Sequence, residues 1–329
     1  MTPPRVDVLV STFNEERYVE RCLAAVLAQD YPREALRVVL VDGGSADGTV
    51  ERVRAASAGD PRVTIIADGV RRNLPAALNV GLEACTGEIV AKVDAHGWPE
   101  EDFIRRGVEV LQASGADVAC AGGRPEQEGE TAFGRALAVA RTSRFGVGGS
   151  GYAGTASRER VDTVQCGIYR RDALVEVGSF DPDMNFGEDD ELNWRVRQAG
   201  YGVVLDTSIR FHYITRPDWG SAYRQYRNYG EARVRVTRAH PGFLRPYHLA
   251  PAAAVAGAGL LAAAAPWSRA ARRVLLGGAA LYAGGAVGGA AQASRGTQAS
   301  AAKVAWAFTA LHLGYGVGML RELARSAKP

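Results

Sequence analysis

The sequence predicts an α/β fold, a mostly parallel central sheet with helices on both faces, followed by a small C-terminal transmembrane helical region. Three observations lead there. Short β-rich runs alternate with segments of helical period over the first two thirds of the chain. Those runs are apolar almost throughout, as strands covered on both faces are. Beyond Tyr247 the composition changes to Ala, Gly and Leu, with charge confined to short islands. The 329 residues leave ample length for a buried core. The expected segments are an α/β domain over 1–215, an amphipathic region over 216–246 and a membrane region over 247–329.

The first run, VDVLVSTF at 6–13, leads into Thr12, Asn14 and Glu15, and Tyr18, Cys22, Ala25, Val26 and Gln29 then recur at helical spacing. The second, RVVLVDGG at 37–44, carries Asp42 into the turn GGSADGT. Its glycines permit a tight bend, and Asp47 or Thr49 is expected to cap the next helix. Ser45, Asp47 and Thr49 are read as turn residues rather than ligand contacts. The third run, RVTIIAD at 62–68, precedes Arg71, Arg72 and Asn73, and a helix marked by Leu74, Leu78, Gly81 and Leu82 that also carries Asn79. The fourth, EIVAKVDAH at 88–96, ends in Asp94 and His96, and the fifth is ADVACAGG at 116–123. In such sheets ligands bind beyond the carboxyl ends of the strands, so these polar ends form the expected site. A carboxylate there, such as Asp42, is costly to desolvate unless something pairs with it.

Composition limits the alternatives. The 39 basic and 36 acidic residues leave a net charge of +3, which gives no electrostatic footprint for nucleic acid. Cys22, Cys85, Cys120 and Cys166 are scattered without metal-binding spacing and are expected as reduced thiols, Cys166 as a small packing residue. The N-terminus lacks the basic and apolar regions of a signal peptide.

Taken in order, VSTFNEERYVERCLAAVLAQDYP, VLVDGGSADGT, NLPAALNVGLEACTGEIVAKVDAH and YRRDALVEVGSFDPDMNFGEDDELNWRVRQAG resemble the successive motifs of the family 2 glycosyltransferases, which have a GT-A nucleotide-sugar fold. The match covers roughly residues 5 to 230, and its flavour is similar to the membrane-associated succinoglycan-type enzymes, some of which carry Asp-Ala-His where most have Asp-x-Asp. The resemblance implies an inverting transfer from a nucleoside diphosphate sugar, with a UDP-sugar as the expected donor. It places Asp94 and His96 on the metal and diphosphate motif, with Mn2+ (or Mg2+) as cofactor. Imidazole suits Mn2+ better than Mg2+, and His96 alternatively donates directly to phosphate. Asp189 matches the general base and Glu188 orients it or the acceptor, whereas Asp190 and Glu191 face solvent or an Arg. Taken alone, the acidic run would be an ordinary helix N-terminus. Thr12, Asn14, Glu15, Asp42, Arg72 and Asp94 are the expected nucleotide-sugar contacts, with Asp42 accepting from a uracil N–H and Asn79 near the nucleotide. The usual second Asp is Gly43 here. His212 either completes the metal shell or is a structural histidine. GVGGSGYAG at 146–154 is read as a mobile loop over the acceptor.

In the last third, a helix from Trp219 to His240 gathers Trp219, Tyr223, Tyr226 and Val234 on one side and Arg224, Arg227, Arg235 and Arg238 on another, the pattern of an interface helix. Residues 274–291 and 304–320 are apolar stretches of spanning length. Gly284 with Gly288, Gly285 with Gly289 and Gly314 with Gly318 suggest that the two pack together. The stretch 247–265 is read as interfacial or re-entrant, which keeps the clusters at Arg269, Arg272 and Arg273 and at Arg321, Arg325 and Lys328 on the cytoplasmic side. A cytosolic donor site beside a membrane region implies a lipid-linked saccharide acceptor, with Arg224 and Arg227 as acceptor contacts, since they match a Gln-x-x-Arg-Trp motif of processive relatives without its Trp. That departure favours single transfers. The expected protein therefore lies at the cytoplasmic membrane and serves cell-surface polysaccharide assembly; the alternatives are a polyprenyl-phosphate sugar synthase and a non-catalytic sugar-nucleotide-binding membrane protein.

Overall fold

The computed structural model describes residues 2–148 and 157–326, so most of the glycine-rich stretch at 146–154 lies outside the described residues. The chain divides into two compact units, 1–126 with 155–213 and 127–154 with 214–329. The boundary expected at 215 is therefore not the whole division. Two helices, α5 (Ala132–Thr142) and α6 (Arg144–Val147), leave the α/β unit and group with the C-terminal helices.

The first unit begins with β1 (Val6–Thr12), α1 (Val19–Leu27), β2 (Leu36–Asp42), α2 (Thr49–Ser57), β3 (Val63–Ile66), α3 (Leu74–Ala84) and β4 (Ile89–Asp94). Then come β5 (Gly97–Pro99), α4 (Phe103–Ala113), β6 (Val118–Glu128), β7 (Arg158–Arg160), β8 (Gln165–Arg170), α7 (Arg171–Val177), α8 (Glu188–Gln198) and β9 (Gly202–Ile214). The sheet order is β3-β2-β1-β4-β8-β6-β9-β5, with β7 on β9. Its first four strands are parallel; β8 runs antiparallel to both β4 and β6.

Register positions the site. Thr12 pairs with Asp42 and Ser11 with Asp94, so the ends of β1, β2 and β4 lie level on one edge. Val8, Val10, Val38, Leu40 and Val93 pack with Leu23 and Val26 of α1 and Phe103 of α4 in one core. Gly81 lets α3 lie against the sheet, because a Cβ there would fall onto Leu9 and Val41. The expected cap of α2 is displaced by one residue: Gly48 occupies the N-cap, while Asp47 Oδ1 accepts from Thr49 N at 3.1 Å.

The second unit joins α5 and α6 to α9 (Trp219–Ala239), α10 (Ala250–Ala264), α11 (Arg269–Ala293) and α12 (Ala301–Ser326). Leu137 of α5, Tyr226 of α9 and Val304, Phe308 and Leu311 of α12 form its core. Gly230, Gly314 and Gly318 bring α9 and α12 into backbone contact: a Cβ on Gly230 would meet Tyr315 O, on Gly314 Tyr223 O, and on Gly318 Arg227 O.

The expected pairing of 274–291 with 304–320 is present, with Ala286 and Ala290 of α11 packed in one core with Val304 and Phe308 of α12, but the glycines named for it do not make it. Gly314 and Gly318 serve α9 rather than α11, Gly285 and Gly289 face Phe145, and Gly284 and Gly288 have open space. Two segments, Pro246–Ala264 and Arg269–Ala293, are long and apolar enough to cross a membrane, whereas 304–320 buries one face in the core of this unit. Leu260 is 74% exposed, Trp267 87% and Leu281 80%, a lipid-compatible surface on α10, α11 and their connection. The expected interface helix is likewise packed in protein: Tyr226 and Val234 of α9 are buried, and Trp219 Nε1 donates to Thr309 Oγ1 at 2.9 Å.

Candidate active site

The loops after β1 and β2 organise each other. Asn14 takes a left-handed conformation with φ 54°, which Asn adopts more readily than most residues. Its backbone N–H donates to Ser45 Oγ at 2.9 Å and its Oδ1 accepts from Ala46 N at 2.9 Å. Glu15 N donates to Thr49 Oγ1 at 2.8 Å. Asp42 is held by this turn: Oδ2 accepts from Gly44 N and Ser45 N, both at 2.9 Å, and Oδ1 from Ser45 Oγ at 2.5 Å and Thr12 Oγ1 at 3.2 Å. The carboxylate that required a partner thus finds donors in its own turn and in Thr12, and at 2% exposure it anchors that turn.

Arg72 is paired within its own loop. It forms a two-pronged pair with Asp68, each N–O distance 2.6 Å, which commits its guanidinium to the loop. Arg71 instead lies over the Phe13 ring, 3.5 Å from the centroid, and donates to Gly43 O at 3.2 Å. Asn79 bonds both N–H and carbonyl of Phe180, and Asn73 donates to Pro182 O, so α3 braces the segment leading to α8.

At the centre lies Lys92, which sequence reasoning missed. A lysine in the otherwise apolar run IVAKVD was the available signal, because buried lysines require partners. Its side chain is 2% exposed, and Nζ lies 3.0 Å from Asp94 Oδ1, 2.9 Å from Asp189 Oδ2 and 3.3 Å from Glu188 Oε1. Lys92 and Asp94 share a side of β4 because they are two residues apart. Glu188 and Asp189 open α8 behind Gly187, whose φ of 80° turns the chain into the helix. Two sequence motifs almost a hundred residues apart therefore meet on one ammonium.

Charge and burial set the protonation of this cluster. Burial opposes the Lys92 charge, but Asp189, Asp94 and Glu188 hold its pKa well above the usual lysine value. Burial likewise disfavours ionised Asp94, yet Lys92 and His96 outweigh it and keep that carboxyl below its ordinary range. Glu188 is raised, chiefly by burial. Asp189 is pushed up to about 8 by burial, which the pull of Lys92 only partly offsets. Among the described residues Asp189 Oδ1 is buried and has no hydrogen-bond partner.

His96 Nδ1 lies 3.2 Å from Glu15 Oε1, and its ring meets Tyr213 edge-on at 5.1 Å. Burial lowers its pKa, but Glu15, Tyr213 and Asp94 prevail and raise it to about 9. His212 is the next residue back along β9 from Tyr213, and consecutive strand residues point to opposite faces. It stacks on Trp98 at 5.0 Å, with Nε2 2.6 Å from Glu100 Oε1 and Nδ1 3.9 Å from Glu126 Oε2. The structure therefore groups His212 with Glu100 and Glu126, a trio whose ligand atoms lie within 4.8 Å of one another, rather than with His96. Glu191 is committed to Arg195, with Oε1 2.6 Å from Nε. In the second unit Arg224 is exposed, and Arg227 sits 3.7 Å from Glu231 and donates to Asn228 Oδ1 at 3.3 Å. All four cysteines are free and buried.

Comparison with known proteins agrees with this architecture. The profile described as Glycosyl transferase family 2 matches residues 7–178. The succinoglycan biosynthesis protein ExoA of Rhizobium meliloti (strain 1021) is 31% identical over 256 residues, 76% of each chain. The dolichyl N-acetyl-alpha-D-glucosaminyl phosphate 3-beta-D-2,3-diacetamido-2,3-dideoxy-beta-D-glucuronosyltransferase of Methanococcus voltae is 27% identical over 238 residues, 71% of this chain and 74% of its own. Among solved structures, the mannosyltransferase PcManGT of Pyrobaculum calidifontis, in complex with GDP-Man and Mn2+, superposes with a TM-score of 0.69 at 24% identity, covering 98% of this chain and 88% of its own. The fold is thus GT-A-like. With the profile spanning more than half the chain and these relatives covering most of it, the protein belongs to glycosyl transferase family 2.

Proposed function

We propose that the protein is an inverting, metal-dependent glycosyltransferase that moves a sugar from a nucleoside diphosphate sugar, a UDP-sugar foremost, to a lipid-linked saccharide at the cytoplasmic face of a membrane, in polysaccharide assembly. The observation that carries this reading is the meeting of Asp94 and Asp189 on Lys92, which puts a diphosphate-side carboxylate and an acceptor-side carboxylate in one buried cluster. Asp189, held through Oδ2 by Lys92, takes the proton of the acceptor hydroxyl. As that oxygen bonds to the anomeric carbon, the bond from this carbon to the diphosphate breaks, and one displacement inverts the centre. Thr12, Asn14 and Glu15 shape the nucleotide edge, with Arg71 and Phe13 beside them.

The donor set fits a divalent cation. Asp94 is kept ionised beside Lys92, and His96 Nδ1 is taken by Glu15, which leaves its Nε2 for another ligand. Asp94 and His96 would hold the ion, and an imidazole in the set favours Mn2+ over Mg2+. Such an ion supplies charge neutralisation to the departing diphosphate. A lipid-linked acceptor is supported by the dolichyl-linked saccharide phosphate in the name of the Methanococcus relative and by the two membrane-length helices.

The test is calorimetric binding of UDP and of GDP, with and without Mn2+, to wild type, Asp94→Ala and His96→Ala in detergent. Metal-dependent binding lost in both variants is the expected result. Binding that ignores the metal and both substitutions would refute the assignment.

A further inference from the structure

We propose that Lys92 is a positioning residue for the transfer, an internal cation that aims Asp189 and at the same time limits how tightly Asp94 can hold a divalent ion. The inference rests on the glycosyltransferase reading above and extends it to a residue to which the resemblance assigned no role. Its basis is geometric. One nitrogen, 2% exposed with its side chain, contacts one oxygen of each of three carboxylates: Asp94 Oδ1 at 3.0 Å, Asp189 Oδ2 at 2.9 Å and Glu188 Oε1 at 3.3 Å. The contact to Asp189 fixes the rotamer of the carboxylate. The contact to Asp94 occupies an oxygen that a metal would otherwise use. Asp189 thus cannot be re-aimed, nor Asp94 released, without disturbing the same ammonium.

Two consequences follow from electrostatics. Removing the ammonium frees Asp94 Oδ1 and raises the local negative charge by one, so a divalent cation gains affinity. Asp189 meanwhile loses the partner that orients it, so proton removal slows. A lysine that only filled space would lower both properties together, since its loss would loosen the whole cluster. Opposite movement of metal affinity and turnover is therefore the signature of the proposed role.

The experiment titrates Mn2+ into detergent-solubilised wild type, Lys92→Met and Lys92→Met/Glu188→Gln, reading free Mn2+ by electron paramagnetic resonance. It also measures kcat and KM with the donor selected from UDP-glucose, UDP-N-acetylglucosamine and GDP-mannose. Lys92→Met should bind Mn2+ about tenfold more tightly, the double variant should return to within about threefold of wild type, and both should lose kcat by about a hundredfold, the scale of a displaced acid–base group, while donor KM changes less. Unchanged or weaker Mn2+ binding in Lys92→Met overturns the proposal, as does unchanged kcat. If Lys92→Met does not fold, the charge-balanced double variant decides: retained metal affinity with lost kcat supports the role, and parallel loss of both, or loss of neither, overturns it. Absence of any Mn2+ binding to the wild type would instead refute the parent reading.

Discussion

Lys92 Nζ lies 2.9 Å from Asp189 Oδ2, and the same nitrogen lies 3.0 Å from Asp94 Oδ1. A strand end and a helix start, drawn from the two halves of the α/β unit, are thereby locked at a distance set by one ammonium. On the proposed mechanism the diphosphate side and the acceptor side of the reaction share this counterion, so each is sensitive to changes in the other.

Asp189→Asn keeps the shape of the side chain and removes the base. Turnover is expected to fall by about 10² to 10⁴, the usual worth of a general base, with donor KM changed far less. Steady-state kinetics on a saccharide acceptor check this. Near-normal turnover would point to a phosphate acceptor, which needs no base, and so to a polyprenyl-phosphate sugar synthase.

The pH profile follows from the same residue. Burial pushes Asp189 up to about 8, so its basic form accumulates only as pH rises toward that value. The kcat is expected to climb with pH and level off above about 8, where the carboxylate is ionised. A profile already flat at pH 6 would contradict the assignment.

His96 makes a second pH-dependent statement. Its pKa stands at about 9 against 6.5 for the free side chain, with burial opposed and outweighed by Glu15, Tyr213 and Asp94. The folded state binds this proton more tightly, so the stabilisation is fully present below pH 6.5 and is lost as pH rises through about 9. A metal-bound imidazole must be neutral, so Mn2+ binding at pH 7 is expected to release close to one proton. Calorimetry in buffers of different ionisation enthalpy measures the number. No proton released would mean that His96 meets phosphate as an imidazolium instead.

In the second unit, Gly318→Ala places a methyl against the Arg227 carbonyl, whereas Gly288→Ala meets open space. The first should destabilise by about 1–3 kcal/mol despite alanine's better helix propensity, and the second should be neutral or slightly stabilising. Thermal unfolding in one detergent compares them directly.

If α10 and α11 form a membrane-crossing hairpin, the connection at Trp267 and Ser268 lies on the far side and Gln298 on the side of α12. An impermeant thiol reagent applied from outside should then label Ser268→Cys and spare Gln298→Cys. The sequence-based topology, with 247–265 in the interface, predicts the reverse.

The sequence by itself determined the strand and helix alternation, the edge at which Thr12, Asp42 and Asp94 line up, and the motifs containing Asp94, His96, Glu188 and Asp189. These are local patterns: periodicity of burial fixes an element, and the strand's end fixes where its last polar residue stands. Only the tertiary structure decided which charges meet. Asp42 found its donors in its own turn, Arg72 its partner in Asp68, and His212 in Glu100, because hydrogen-bond saturation depends on groups that spacing does not bring together. The same holds for the helices. Small-xxx-small spacing announces that a backbone approaches closely, but Gly314 and Gly318 could meet α9 or α11 equally well on sequence, and the choice of α9 is a property of packing. Lys92 shows both sides: its place in an apolar strand signalled a buried charge, and the fold alone supplied the three carboxylates that make that charge stable.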